Sequence, residues 1–226
     1  MGAPFQAAFA ADSHPVLVEL FLSQSCKASP PAAELATQLS TRDDVVALAY
    51  HVGYWDMLAG REGEAWRDPF SKPVFADRHR AYNKRLRGKN RGMTPQAVID
   101  GAMAVSAAKT EDVTRLIHDA EFNAHGERPK ISFAKQESSL DIVVEEGVGE
   151  VMLVRFLKEA VTDIEGGDND GLVFREANVV TDVATLGSLT RQSAKFKAVV
   201  PEDGAGCAVI VQEPGQGAVI AAQYCP

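Results

Sequence analysis

The chain has 226 residues, which is enough to bury a sizeable core in one large domain or two small ones. A hydrophobic content of 46% with 24% charged residues excludes global disorder, and a net charge of −8 argues against general nucleic-acid binding. No apolar run approaches the roughly 18 residues that a membrane-spanning helix needs.

Residues 1–15 are set apart from the fold. They are rich in small and apolar side chains, and Ala8-Phe9-Ala10 has the small-x-small form of a secretory cleavage site. No basic segment precedes this site, so two interpretations stay open, a leader remnant and a flexible tail. The leader interpretation predicts a periplasmic or secreted protein.

The segment that follows organises the rest of the chain. The apolar, branched run Val16–Leu22 predicts a strand that is buried on both faces. Pro30 and Pro31 fit the first turn of a helix, where no backbone N–H partner is lost. Cys26 is expected at this helix start, where the macrodipole favours the reactive thiolate. The alternative is a small, buried, unreactive side chain.

The next elements predict an α/β half. A helix over residues 30–39 and a strand over residues 45–50 imply a parallel crossover from the first strand. Residues 51–71 are expected to form a long structured loop, anchored by Trp55 and Trp66 because large aromatic side chains need apolar cover. A second helix is predicted over residues 74–86.

Residues 72–91 are strongly basic. They carry eight Lys and Arg residues against Asp77 alone, and eight minus one gives a local charge of +7. Such a segment can attract an anionic substrate, such as glutathione, or an acidic partner, but a solvated helix face is favoured.

Residues 93–122 complete this half. Thr94-Pro95 precedes a short strand that ends in an Asp100-Gly101 turn, and residues 102–105 are expected to return antiparallel as a hairpin. A third helix is predicted over residues 112–122, because its apolar side chains are spaced for one buried face.

The pattern changes near residue 126. Short alternating runs predict strands over residues 131–134, 140–144, 151–157, 172–183, 196–200, 208–211 and 218–222. Turn clusters such as Gly166–Gly171 separate them, as in an all-β sandwich. We predict domains at residues 16–125 and 126–226, and the second carries no predicted chemistry. Asp168 and Asp170 do not fit a calcium loop and are assigned to a turn.

The closing hairpin predicts a disulfide. If its turn centres near Gln216, residues whose numbers sum to 432 face each other, and Cys207 and Cys225 satisfy this relation. Such a bridge would leave Cys26 as the free thiol of the three cysteines.

The order of elements resembles the thioredoxin fold. In that superfamily a cis-proline lies beside the active cysteine, and the backbone before it pairs with a bound substrate chain. Thr94 and Pro95 match this motif, and a cis bond is chemically accessible before proline. The resemblance implies a thioredoxin-like domain. Followed by the β-rich, sandwich-like domain that the strand pattern predicts, it makes the chain α+β overall.

A closer resemblance is to the bacterial secreted thioredoxin-like family called domain of unknown function 1223. It is carried by Val18-Glu19-Leu20-Phe21, Ser23-Gln24-Ser25-Cys26, Pro30-Pro31-Ala32, Tyr50-His51-Val52, Tyr54-Trp55-Asp56, Asp68-Pro69-Phe70, Thr94-Pro95-Gln96 and Asn178-Val179-Val180. It implies an exported protein with a thiol activity.

The active-site motif departs from the Cys-x-x-Cys pair that is usual in similar proteins. Cys26-Lys27-Ala28-Ser29 offers one sulfur and a hydroxyl, and Ser29 cannot release a mixed disulfide as a second thiol would. Thioredoxins place a buried acid on the strand before the cysteine for proton transfer, and Glu19 resembles it. The alternative is a Glu19 at the sheet edge or bonded to a nearby backbone donor.

Two functions are therefore open. The first is monothiol thiol-disulfide exchange or disulfide-linked partner handling by Cys26, with Glu19 and Ser29 as further catalytic candidates and Thr94, Pro95 and Trp55 binding substrate. The second is a non-enzymatic protein-binding module. The expected partner is a thiol- or disulfide-bearing protein or peptide. No cofactor is expected beyond glutathione as a co-substrate, and the His and Asp spacings match no zinc pattern.

Overall fold

A computed structural model describes residues 14–57, 65–122 and 128–226. The leader or tail predicted for residues 1–15 lies outside these residues except for its last two. Residues 58–64 of the predicted long loop also lie outside them.

The described chain is a mixed α/β structure. The helices are α1 (Pro30–Leu39), α2 (Pro73–Arg87) and α3 (Thr110–Phe122), with a 3₁₀ turn at Gly167–Asn169. The strands are β1 (Val16–Leu22), β2 (Val45–His51), β3 (Gln96–Ile99), β4 (Met103–Ser106), β5 (Ile131–Lys135), β6 (Ser139–Val144), β7 (Val148–Asp163), β8 (Val173–Thr190), β9 (Ala194–Val199), β10 (Ala205–Gln212) and β11 (Val219–Tyr224).

The strand β1 lies in the middle of the first half and is buried along its whole length. It pairs with β2 in parallel and with β3 antiparallel, so both of its edges are hydrogen-bonded. Leu17 and Phe21 face a core shared with α2, whereas Val18 and Leu20 face a core shared with α1 and α3. The predicted two-sided burial and the parallel crossover are confirmed.

The first two helices begin as the sequence predicts. A proline occupies the opening turn of both α1 and α2, where its missing N–H costs no helix hydrogen bond. Leu35 and Leu39 of α1 are buried on one face. The helix α2 ends at Arg87, and the φ of 66° at the following Gly88 is left-handed, which suits glycine at this position.

The second half of the chain shares its larger sheet with the first half. Four of its strands extend the sheet of the first half, in the order β11-β10-β7-β8-β2-β1-β3-β4. The junction is a parallel contact of Ala49 in β2 with Val179 in β8. The sequence did not predict this shared sheet, in which β8 continues to Thr190, beyond the predicted strand 172–183, and pairs with β2.

The remaining strands make a second layer. They form a three-stranded sheet in the order β5-β6-β9. Leu140, Ile142 and Val144 of β6 pack against Val151 and Leu153 of β7 in a third core. Part of the second half is thus sheet on sheet, as short alternating strands predict.

The closing hairpin has the predicted register. Ala208 faces Tyr224 and Val211 faces Ala221, so the paired numbers sum to 432 before a bulge at Gln212. Cys207 and Cys225 form a disulfide with a Cα–Cα distance of 5.3 Å. The predicted bridge is confirmed, and Cys26 is the free cysteine.

A buried asparagine ties this hairpin to the central sheet. Asn178 Nδ2 donates to the Ala47 carbonyl oxygen at 3.0 Å and to Tyr224 Oη at 2.8 Å. The Tyr224 hydroxyl also accepts a hydrogen bond from the Ala47 N–H at 2.7 Å. Within the described ranges, the helices are too short or too polar to cross a membrane.

Candidate thiol site around Cys26

Cys26 lies in the loop between β1 and α1. Its N–H donates to the Ser23 carbonyl at 3.0 Å, and its carbonyl accepts from the Ser29 N–H at 2.9 Å. The side chain is 8% exposed. Because α1 begins at Pro30, Cys26 lies before the first helical turn and not within it. The helix dipole acts more weakly on the thiol there than at the helix start, where the sequence predicts Cys26.

The thiol lies beside the proline that the sequence singles out. Cys26 Sγ is 3.6 Å from the Thr94 carbonyl oxygen, within reach of a weak S–H hydrogen bond. The Thr94-Pro95 peptide bond is cis, as predicted. Trp55 Nε1 donates to Thr94 Oγ1 at 2.7 Å. Thr94 is therefore contacted by both the Trp55 indole of the long loop and the Cys26 thiol.

These residues line a cavity of ≈ 330 Å³. Its lining is Ser25, Cys26, Lys27, Ala28, Trp55, Thr94 and Asp168. Three residues predicted from the sequence, Cys26, Trp55 and Thr94, therefore share one pocket. Pro95 is buried beside it, and its carbonyl accepts from the Ala107 N–H at 3.0 Å.

Ser29 does not line this cavity. It is fully buried, and its Oγ accepts a hydrogen bond from the Ser23 N–H at 3.2 Å. Its contact closes the loop around Cys26, so the structure gives Ser29 a supporting position at the site.

Glu19 is fully buried and paired with a cation. Arg78 donates to its two oxygens at 2.7 and 3.0 Å, and Tyr82 Oη donates at 2.5 Å. Neither alternative for Glu19 in the sequence analysis foresaw this pair, since α2 lies 59 residues further on. The pairing explains how a carboxylate is tolerated in an apolar strand.

A second buried charge cluster lies at the end of β2. His51 Nδ1 is 2.7 Å from Asp68 Oδ2, and His51 Nε2 is 3.2 Å from Glu176 Oε1 without the alignment of a hydrogen bond. Burial alone lowers the pKa of His51. The two carboxylates outweigh it and raise the pKa to about 10, which keeps the imidazolium charged.

Gln24 connects this cluster to the cysteine loop. Its N–H donates to Asp68 Oδ2 at 2.8 Å, and its side-chain amide donates to Glu176 Oε2 at 3.0 Å. Its amide oxygen accepts from Trp66 Nε1 at 3.2 Å. Gln24, two residues before Cys26, is therefore held by two parts of the chain, the loop segment that contains Trp66 and Asp68 and the strand β8.

The turn between β7 and β8 reaches the same loop. Asn169 Nδ2 donates to the carbonyl oxygens of Gln24 at 2.7 Å and Cys26 at 3.0 Å, and Asp168 lines the cavity. The second half, for which the sequence predicts no chemistry, therefore contributes Asn169 and Asp168 to the surroundings of Cys26. The glycine-rich cluster 166–171 was the available signal, and it indicated a turn without showing where the turn docks.

Much of the basic segment is engaged inside the molecule. Arg78 binds Glu19, Lys72 donates to the Thr181 carbonyl, and Arg85 donates to the carbonyls of Gly101 and Gln216. Lys84, Lys89 and Arg91 remain exposed. Some basic residues of the segment thus attach α2 to the rest of the protein, and the others form a solvent-exposed face. Among the described residues, no cluster of His, Cys, Asp and Glu is arranged to hold a metal ion.

The sequence matches one family. The family model described as "Protein of unknown function (DUF1223)" matches residues 17–212, so the chain belongs to this family. No curated protein matches the chain.

The fold is similar to that of solved structures, of which two are described. A crystal structure of a protein from Agrobacterium tumefaciens is 26% identical with a TM-score of 0.80, and the alignment covers 95% of each chain. HBP35 of Porphyromonas gingivalis is 14% identical with a TM-score of 0.59 over 95% of this chain and 76% of that one, which is a likeness of fold.

Proposed function

We propose that this member of the DUF1223 family is an exported thioredoxin-like protein whose Cys26 carries out monothiol thiol-disulfide exchange or holds a partner through a disulfide. The observation that carries the proposal is the position of Cys26 Sγ, 3.6 Å from the carbonyl of Thr94 at the cis bond to Pro95. A thioredoxin-like assignment rests on this juxtaposition and on the order β1-α1-β2-α2-β3-β4-α3.

The proposed reaction is a thiol-disulfide exchange in which one S–S bond forms as another breaks. The Cys26 thiolate attacks one sulfur of a partner disulfide, the partner S–S bond breaks, and the other sulfur leaves as a thiolate. The product is a mixed disulfide on Cys26. Because Ser29 has no sulfur, an external thiol such as reduced glutathione must attack that mixed disulfide to release the partner.

The cavity fits a peptide or a small thiol better than an extended cofactor. Trp55 provides an apolar aromatic surface, and Lys27 and Asp168 provide opposite charges at the pocket. A γ-glutamyl or peptide backbone, which carries both amine and carboxylate groups, can satisfy both charges. We therefore propose a thiol- or disulfide-bearing protein or peptide as partner, with glutathione as co-substrate.

Export is supported by the closing disulfide. Bridges such as Cys207–Cys225 persist in oxidising compartments and are rare in the cytosol. The small-x-small segment at residues 8–10 also supports the proposal that the protein is periplasmic or secreted.

A binding module without catalysis is the second candidate. It is favoured by the low exposure of Cys26, 8%, and by the burial of Ser29 in a supporting contact. In this case Trp55, Thr94 and Asp168 would contact a partner while the thiol takes no part in chemistry.

Turnover separates the two candidates. A peptide bearing a glutathione mixed disulfide is incubated with excess reduced glutathione and either the wild-type protein or its Cys26→Ser variant. Exchange predicts faster release of the reduced peptide with the wild type than with Cys26→Ser or without protein. Equal rates in all three would overturn exchange and leave the binding module.

A further inference from the structure

We propose that Asn169 is a positioning residue for Cys26, so that the second half of the chain controls how far the thiol is exposed. The inference rests on the proposed function only in taking Cys26 as the reacting group. Asn169 is 143 residues from Cys26 in sequence, and its side chain touches the loop rather than the reacting sulfur.

The Asn169 side chain acts as a clamp on the cysteine loop, because its amide group makes two hydrogen bonds to the loop backbone. Asn169 is 3% exposed, and its single amide nitrogen donates to the carbonyls of Gln24 and Cys26. The two carbonyls lie on either side of Ser25, so one side chain fixes the loop backbone across three residues. Loss of this donor removes the Asn169 hydrogen bond from two carbonyls. The Cys26 carbonyl keeps the Ser29 N–H as a donor, so the cost falls mainly on the Gln24 carbonyl.

The turn that carries Asn169 is itself fixed. Leu172 N–H donates to the Asn169 carbonyl at 3.0 Å, and Gly171 N–H donates to the Ile164 carbonyl at 2.9 Å. Gly167 has a φ of +71°, and a Cβ there would lie 3.2 Å from Trp66 Cβ. Glycine thus lets the turn adopt a left-handed bend close to the loop that holds Trp55 and Trp66.

The clamp explains the low exposure of the thiol. Cys26 Sγ is held toward the Thr94 carbonyl while the backbone on both sides of Ser25 is tied to a rigid turn. Without Asn169, the loop is expected to open more often, because local opening is governed by the few hydrogen bonds that hold a segment. Opening would expose Sγ to small reagents and loosen the pocket.

The test compares Asn169→Ala with a matched variant. Asn178→Asp removes a similar buried amide that also donates twice, but to Ala47 and Tyr224 in the sheet. The second-order rate of Cys26 alkylation by iodoacetamide is measured well below the melting temperature, together with deuterium exchange of the peptide 23–29. Both readouts are independent of any exchange activity, so they report on Asn169 even if glutathione chemistry is absent.

For Asn169→Ala, we expect alkylation to accelerate by about threefold to tenfold, with faster deuterium uptake in residues 23–29. Asn178→Asp should lower the melting temperature and leave both readouts near the wild type. If Asn169→Ala lowers only the melting temperature, the residue merely supports the fold and the inference is wrong. Should Asn169→Ala fail to fold, Asn169→Ser, which is too short to bridge both carbonyls, must show the same acceleration or the inference fails.

Discussion

The thiol of Cys26 and the carbonyl oxygen of Thr94 lie 3.6 Å apart, although 68 residues separate them in sequence. The contact brings the loop after β1 against the start of β3, at a cis peptide bond that leads into Pro95. Thr94 and Trp55 line the same cavity as Cys26 and are hydrogen-bonded to each other. The proposals for this protein depend on that arrangement.

Replacing Ser29 by cysteine should create a dithiol. Ser29 lies three residues after Cys26 in the same loop, where a second thiolate could attack a mixed disulfide on Cys26. We expect Ser29→Cys to reduce a small disulfide with turnover, and to lose about 1 kcal/mol of stability because the contact with the Ser23 N–H is weakened.

The assay follows reduction of the disulfide with a recycling reductant. The double variant Cys26→Ser/Ser29→Cys is the control and should show no turnover. If Ser29→Cys is no more active than the wild type, then more than a resolving thiol is missing from the site.

The disulfide between Cys207 and Cys225 predicts a thiol count. Titration of the unfolded, unreduced protein should find one reactive thiol, Cys26. Replacing both bridge cysteines by alanine should cost roughly 3 kcal/mol, because closing a loop of this length restricts the unfolded chain. A count of three thiols would contradict both the bridge and the proposed export.

The charge on His51 predicts a pH dependence of stability. Its pKa in the folded protein is about 10, against about 6.5 in an unfolded chain. Because the folded state binds this proton more tightly, the stabilisation is complete below pH ~6.5 and is lost as the pH rises toward ~10. Urea unfolding across this range should show a steeper loss of stability for the wild type than for His51→Gln.

His79 serves as a control of opposite sign. Burial lowers its pKa to about 4, and its Nε2 lies 2.5 Å from Gln96 Oε1. Its contribution to stability is therefore present above pH ~6.5 and is lost as the pH falls toward ~4. If the free energy of unfolding changes equally with pH in the wild type, His51→Gln and His79→Gln, the buried charge assigned to His51 is refuted.

Glu19 should prove to be an anchor for α2 rather than a proton donor. Glu19→Gln leaves Arg78 without its buried counter-charge and is expected to cost about 3 kcal/mol or more. Asp112→Asn breaks the exposed pair with Arg115 and should change stability little. The rate of Cys26 alkylation in Glu19→Gln should not fall by more than about twofold, because both Glu19 oxygens bond Arg78 and Tyr82 and Glu19 does not line the cavity of Cys26. A large decrease in that rate would restore Glu19 as a catalytic candidate.

Local patterns predicted the parts of the fold that depend on neighbouring residues. The two-sided burial of β1, the helix over residues 30–39 and the facing of Cys207 with Cys225 follow from apolar periodicity, proline position and turn length. The cis bond before Pro95 followed from the resemblance to a family rather than from these patterns.

The contacts that define the site could not be predicted in this way. His51 meets Glu176 and Cys26 meets Asn169 only because β8 joins β2 and carries the preceding turn over the cysteine loop. Pairing between strands so distant in sequence leaves no periodic pattern in the local sequence. An isolated Glu or Asn is typical of turns and surfaces, so neither residue indicated a buried contact. The sheet that joins the two halves was not predicted for the same reason.

The most direct test of disulfide exchange at Cys26 is the reaction of the native protein with oxidised glutathione. The products are analysed by intact-mass and peptide mass spectrometry. We predict one glutathione per chain, attached to Cys26, removed by excess reduced glutathione and absent from Cys26→Ser. If the native protein acquires no adduct while the same protein unfolded in urea acquires one at Cys26, the thiol is sealed in the fold and the exchange function is wrong.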